Sequence, residues 1–156
     1  MCLMCDGWSA EEVRQHIDNL IERHGWAIPY VESPNPRKIF GYTVGLTKIG
    51  APEFLVRGLD MDDTVEMLNS LASAVALRHE RFAHGHTSDW RNGRTLYFSH
   101  MHGATNFALN AYSRYGNAVS VLEVHFLDQK VPELSSAMKL RGQSASIGLG
   151  RGNHLN

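Results

Sequence analysis

Two cysteines stand three residues apart near the start of the chain, in Cys2-Leu3-Met4-Cys5. Thiolates at that spacing supply half of a zinc site or the two sulfurs of a redox pair. A structural zinc ion takes four ligands. No second Cys-x-x-Cys follows, so histidines would have to complete the set. A redox pair sits at a helix N-terminus after a strand, and no strand pattern precedes Cys2. A buried or merely flexible N-terminal pair is the alternative. Cys2 and Cys5 are thus the candidate metal ligands, with zinc as the candidate cofactor.

Histidine is the compositional anomaly. There are nine, and four fall in His84-Gly85-His86 and His100-Met101-His102. On extended backbone each pair presents both imidazoles to one face. Together they would make a nitrogen-rich metal site. The first pair lies in a turn-rich stretch, however, and no carboxylate pattern is placed to orient the rings.

A different chemistry is suggested by Phe40-Gly41-Tyr42-Thr43-Val44-Gly45-Leu46. At period two, Phe40, Tyr42, Val44 and Leu46 share one side, and Gly41, Thr43 and Gly45 the other. Interior glycines weaken a strand, and their use is room for close approach to the backbone. Either a neighbouring element packs tightly there, or a ligand rests on Thr43 beside Gly45. Bulk at Gly45 separates the two, destabilising the first arrangement and blocking only binding in the second. Glu53, after Pro52 at the mouth of an apolar strand, and Asn69, beside a helical stripe, are the other candidate ligand contacts. Each could equally fix a loop or a cap. Glu123 and His125 share one face of a late strand, as an acid-base pair or as a solvated face.

Recognised catalytic signatures are missing. No Gly-x-Ser-x-Gly, His-Glu-x-x-His, phosphate-loop or kinase pattern occurs. Gly148-Leu149-Gly150-Arg151-Gly152 lacks the strand before and the helix after that a phosphate loop needs.

Composition narrows the class further. The 156 residues suit one domain with one core. Hydrophobic residues make up 43% and charged residues 20%, which is ordinary for a globular chain. Fifteen Lys and Arg face sixteen Asp and Glu, a net charge of -1, so no basic surplus favours nucleic acid. No apolar run reaches the ~18 residues of a membrane span. The start of the chain lacks the basic and apolar regions of a signal peptide, and two cysteines build no disulfide framework. A cytosolic location is the expectation.

The elements that must position these groups are well marked in places. Ser9-Ala10-Glu11-Glu12 is a capping box, and Trp8 and Val13 flank it as a hydrophobic staple. Val13, Ile17, Leu20, Ile21 and His24 follow at helical spacing, and Gly25 is the left-handed stop. Trp26 to Val31 reads as a strand kept at a sheet edge by Pro29, pairing antiparallel with the glycine-bearing strand. Phe54-Leu55-Val56 reads as a strand buried on both faces. Asp60, Asp62 and Asp63 start a long helix with a stripe of Val65, Leu68, Leu71, Ala72 and Val75, extended by Phe82. Residues 83 to 94 read as a polar, turn-rich connection. Asn92-Gly93 is a hairpin turn before a strand from Arg94 to Met101. Phe107 to Tyr115 is a third helix, and Val119 to Phe126 a central strand. Pro132 to Met138 suits a short helical turn. Residues 1–140 form the domain, and 141–156 a glycine-rich tail.

The series Met1-Cys2…Cys5-Asp6, His24-Gly25-Trp26, Tyr42-Thr43-Val44-Gly45-Leu46, Pro52-Glu53, Gly58-Leu59 and Leu68-Asn69 resembles domain-of-unknown-function family 4262, in its actinobacterial or actinophage form. Tyr115-Gly116, Leu122 and Asp128 are similar to its later marks. Glu123 stands where the family suggests glutamine, and His125-Phe126 replaces a Val-Trp-like pair. The resemblance implies a small cytosolic α+β domain and no established activity.

The expectation is therefore one α+β domain with a mixed or antiparallel sheet of about five strands. About three helices lie mostly on one side of it. Its function is read as a non-enzymatic binding or regulatory module for a protein or small-molecule partner, contacted by Thr43, Gly45, Glu53 and Asn69. The alternative is a metal- or thiol-dependent enzyme built on Cys2 and Cys5 with histidines. Replacing the cap by Ser9→Ala should cost about 1 kcal/mol, read as a lower urea midpoint at unchanged slope.

Overall fold

The first helix begins where its cap places it. The computed structural model describes residues 7–127. In it α1 (Ala10–His24) opens on Ser9, whose Oγ accepts the Glu12 amide at 3.1 Å while Glu12 Oε1 accepts the Ser9 amide at 2.9 Å. Gly25 ends the helix at φ 96°, the left-handed geometry that a side chain would oppose. Cys2, Cys5, the Pro132–Met138 turn and the 141–156 tail lie outside the described residues.

Beyond α1 the chain lays down six strands: β1 (Tyr30–Val31), β2 (Phe40–Tyr42), β3 (Glu53–Arg57), β4 (Thr87–Asp89), β5 (Thr95–His100) and β6 (Val121–Phe126). They form one sheet in the order β1-β2-β3-β6-β5-β4. Every neighbouring pair is antiparallel except β3 and β6, which run parallel at the centre. A parallel pair needs a long crossover. Here the crossover carries α2 (Met61–Ala76), the β4–β5 hairpin and α3 (Leu109–Tyr115). The chain is thus an α+β domain, with six strands where about five were expected. The sixth is β4, which residues 83 to 94 concealed. Thr87, Ser88 and Asp89 show no apolar alternation, and their pairing with Tyr97, Leu96 and Thr95 is imposed by the turn at Asn92-Gly93. Both turn residues hold positive φ, 59° and 71°.

Two of the three helices share one side of the sheet, and α2 takes the other. α2 covers one face, burying Met67, Leu68, Leu71 and Val75 against Phe54, Val56, Phe98 and Val124. α1 and α3 cover the opposite face, where Ile17, Ile21 and Ala111 pack with Tyr42, Val44, Leu55 and Val121. The run Phe54-Leu55-Val56 needs this division, because its alternate side chains enter different cores. Arg114 clamps α3 onto α1. Its Nε donates to Asp18 Oδ1 at 2.8 Å and its NH2 group to the Arg14 carbonyl at 2.9 Å. Tyr42 Oη adds a second tie, accepting the amide and side-chain N–H of Asn110, each at 3.1 Å. Among the described residues no helix is long and apolar enough to cross a membrane.

The glycines of the 40–46 stretch admit the chain's own atoms. A side chain at Gly41 would collide with Thr64 Cγ2 of α2, and one at Gly45 with the Gly25 carbonyl and the Trp26 backbone. β2 ends at Tyr42, and Gly45 turns out of the strand at φ 131° into a 3-10 turn over Leu46–Ile49. Packing accounts for both glycines. Gly45→Ala should therefore cost about 3 kcal/mol or prevent folding, from overpacking and backbone strain together. Gly50→Ala, at φ 77° but with open space around it, should cost only about 1–2 kcal/mol of strain. Urea denaturation of the two variants checks the difference.

Candidate functional site

Glu53 begins β3 and is completely buried. A carboxylate in such a place must be satisfied by donors. Five converge on it. Oε1 accepts from Thr43 Oγ1 at 2.8 Å and from the Leu46 amide at 3.2 Å. Oε2 accepts from the Gly45 amide at 3.1 Å, the Thr47 amide at 2.9 Å and Thr47 Oγ1 at 2.6 Å. Glu53 thus caps the 3-10 turn from outside, meeting amides that the turn itself leaves orphaned. Thr43 links the other way, its Oγ1 accepting the Phe54 amide at 2.9 Å.

Three of the four predicted contact residues, Thr43, Gly45 and Glu53, therefore meet in one buried knot. Asn69 stands apart, exposed on α2, where its Oδ1 accepts from Trp26 Nε1 at 2.9 Å. The hydrogen bonds of Thr43, Gly45 and Glu53 run to one another and to their neighbours. What the knot does is hold the chain that follows it. The Ala51 amide donates back to the Leu46 carbonyl at 3.1 Å, so the turn delivers Ile49 to Pro52 as a firm wall.

That wall closes a cavity of about 400 Å³ against the end of α2, with Phe54, Val75 and Phe82 among its apolar lining. The volume lies within the span of small-molecule sites, roughly 300–1,000 Å³. Two features of the lining are unusual. His79 holds φ 58°, a left-handed conformation that costs a side chain about 1–2 kcal/mol. Next to it, Glu80 has a side chain only 7% exposed. Glu80 Oε2 accepts from Arg78 Nε at 3.2 Å, while Oε1 is buried with no hydrogen-bond partner among the described residues. Sequence reasoning missed His79 and Glu80. They lie in a charged stretch, Arg78-His79-Glu80-Arg81, that reads as solvated surface. The burial of Glu80 arises only where that stretch lines a cavity opposite the 49–52 wall.

The other sequence candidates separate. His84 Nδ1 accepts the His100 amide at 2.9 Å, and the His100 and His102 rings meet edge to face at 4.9 Å. The four histidines do not converge. Among the described residues no three His, Cys, Asp or Glu side chains are grouped to hold a metal ion. The reason is local: His84 bonds to backbone, and His86, half-buried, is held below its ordinary pKa by burial. Glu123 and His125 likewise take different partners. Glu123 Oε2 pairs with Arg57 Nε at 2.8 Å, and His125 Nε2 lies 2.8 Å from Ser99 Oγ on the neighbouring strand.

Burial pushes the Glu53 carboxyl above its ordinary range, against the hydrogen bonds from Thr47, Thr43 and Gly45 that pull it down. A raised native pKa gives Glu53 its full stabilising contribution below its unfolded value near 4.5. That contribution falls as pH rises through the native value. Glu53→Gln should remove this slope. It should also cost about 3 kcal/mol, because an amide N–H would face donors that Oε2 now accepts. Urea titrations from acid to neutral pH check both effects.

Comparison with known proteins gives one match. The family model described as "Domain of unknown function (DUF4262)" matches residues 20–130. No curated protein and no solved structure matches the chain. The matched span takes in the whole sheet, the Glu53 knot and the walls of the cavity. The protein therefore belongs to the DUF4262 family.

Proposed function

We propose that this protein is a non-enzymatic binding module whose ligand seat is the cavity between the 49–52 wall and the end of α2. One observation carries the reading: the cavity, about 400 Å³, has the size of a small-molecule site and an apolar lining that includes Phe54, Val75 and Phe82. The strained backbone at His79 is the kind of local conformation that clusters at ligand sites. Thr43, Gly45 and Glu53 serve the site from behind, by bracing its wall. Asn69 serves through Trp26, whose backbone lies against Gly45.

The test is to fill the seat. Ala76 lines the cavity from the last turn of α2 and is partly buried. In a thermal-shift screen of small molecules, ligands of the wild type should lose their effect in Ala76→Phe. A ligand present at a hundred times its Kd adds about 2.7 kcal/mol of stability, which is readily measured. Compounds that stabilise both proteins equally would place binding elsewhere.

A further inference from the structure

The lining of the cavity divides by exposure into a floor and a rim. Phe54, Val75 and Phe82 are buried and make the floor, where Phe54 and Phe82 meet edge to face with centroids 5.4 Å apart. Ile49, His79 and Arg81 are exposed and make the rim, Ile49 on one wall and His79 and Arg81 on the other. Ile49 is 60% exposed, a large apolar side chain left to water. An apolar body seated on the floor and reaching the rim would remove that surface, with its own, from water.

Charge at the rim is of one sign. The lining holds one acid, Glu80, whose side chain is only 7% exposed and is matched by Arg78 Nε at 3.2 Å. The exposed ionisable groups of the lining, His79 and Arg81, are both basic, and neither makes an ion pair or a side-chain hydrogen bond among the described residues. The Arg81 guanidinium is therefore held to no other group and can swing over the mouth. Its planar fork matches a carboxylate with two parallel N–H···O bonds. The imidazole of His79 adds an N–H in either protonation state. A cation at the mouth would meet repulsion, and a neutral polar group would leave the charge of the fork unmatched.

Building on the binding reading above, we infer that the occupant is a small apolar monocarboxylate. Its hydrocarbon body lies on Phe54, Val75 and Phe82, and its carboxylate stands at the mouth in the fork of Arg81. Arg81 sets the charge that the site accepts, and the buried floor sets the apolar body behind it.

Three probes of one shape test this: phenylacetate, an anion; phenylacetamide, its neutral counterpart; and phenethylamine, a cation. Binding to the full chain is followed by titration in NMR at low salt, with thermal unfolding as the check on folding. Phenylacetate should bind about tenfold more tightly than phenylacetamide, the gain of hydrogen bonds between two charged groups. Phenethylamine should bind most weakly. In Arg81→Gln, phenylacetate should weaken to the level of phenylacetamide, which itself is unchanged, and the unfolding temperature should stay as in the wild type because Arg81 is exposed and unpaired. In Ala76→Phe all three should lose binding. A preference for phenylacetate that survives in Arg81→Gln would overturn Arg81 as the anchor, and one that survives in Ala76→Phe would place the anion outside the cavity. Equal binding of phenylacetate and phenylacetamide to the wild type, lost in Ala76→Phe, would overturn the carboxylate while leaving the cavity a binding site. Failure of all three probes to bind at millimolar concentration would overturn the inference together with the reading it rests on.

Discussion

Five donors on one buried carboxylate are the constraint around which this fold is arranged. Glu53 sits at the start of the central strand β3, and its two oxygens receive the hydroxyls of Thr43 and Thr47 and three consecutive amides, Gly45 to Thr47. Each of those amides would otherwise face a dry interior at a 3-10 terminus with no side-chain cap of its own. The five donors offset part of the carboxylate's desolvation, and burial still holds its pKa above the ordinary range. The knot fixes the path of the chain between β2 and β3, together with the 3-10 turn over Leu46–Ile49 and the antiparallel bridge of Val44 to Ala27.

Around that knot the sheet is a mixed one with its parallel pair in the middle. β3 and β6 are flanked on both sides by antiparallel neighbours, so neither contributes an open edge. The two edges fall to β1, two residues long and preceded by Pro29, and β4, three residues long and polar. Short, proline-bearing or polar edges resist pairing with other chains. Both faces are covered, by α2 on one side and by α1 with α3 on the other. Gly41 and Gly45 are where this double covering comes closest to the backbone, Thr64 from α2 at one and the Gly25–Trp26 main chain at the other.

The cavity follows from the same arrangement. α2 ends at Ala76, and its last turn is wrapped by a segment that returns with the Glu80 amide donating to the Ala74 carbonyl at 2.9 Å. His79 must take left-handed backbone to make that return. The return brings Glu80 inward and drops Phe82 into the core beside Phe54 and Phe98. The space left between this wrap and the 49–52 wall has an apolar interior and one carboxylate in its lining. The cavity is thus a by-product of two loops, one held by Glu53 and one by the helix end.

Local chemistry was legible in the residues alone. Ser9 and Glu12 reciprocate over one turn, Gly25 stops α1, Asp60 caps α2, and Asn92-Gly93 makes the β4–β5 turn. Each of these depends on neighbours within a few positions, so spacing suffices to read it. The α+β class and the tight contact at the glycines were legible for the same reason. What spacing could not convey was which face each helix would take, because Phe54-Leu55-Val56 is apolar on both sides and attracts helices to either. Nor could it assign Glu53 its donors, distinguish β4 from a loop, or separate His84 from His100 as metal ligands. The buried state of Glu80 was decided only in three dimensions, when the stretch folded over the end of α2 and Glu80 turned inward while Arg78, His79 and Arg81 stayed exposed. The sequence determined where elements begin and end, because capping and turn chemistry act over three or four residues. The tertiary structure decided which polar groups are buried and whom they meet, because desolvation depends on atoms that are distant along the chain.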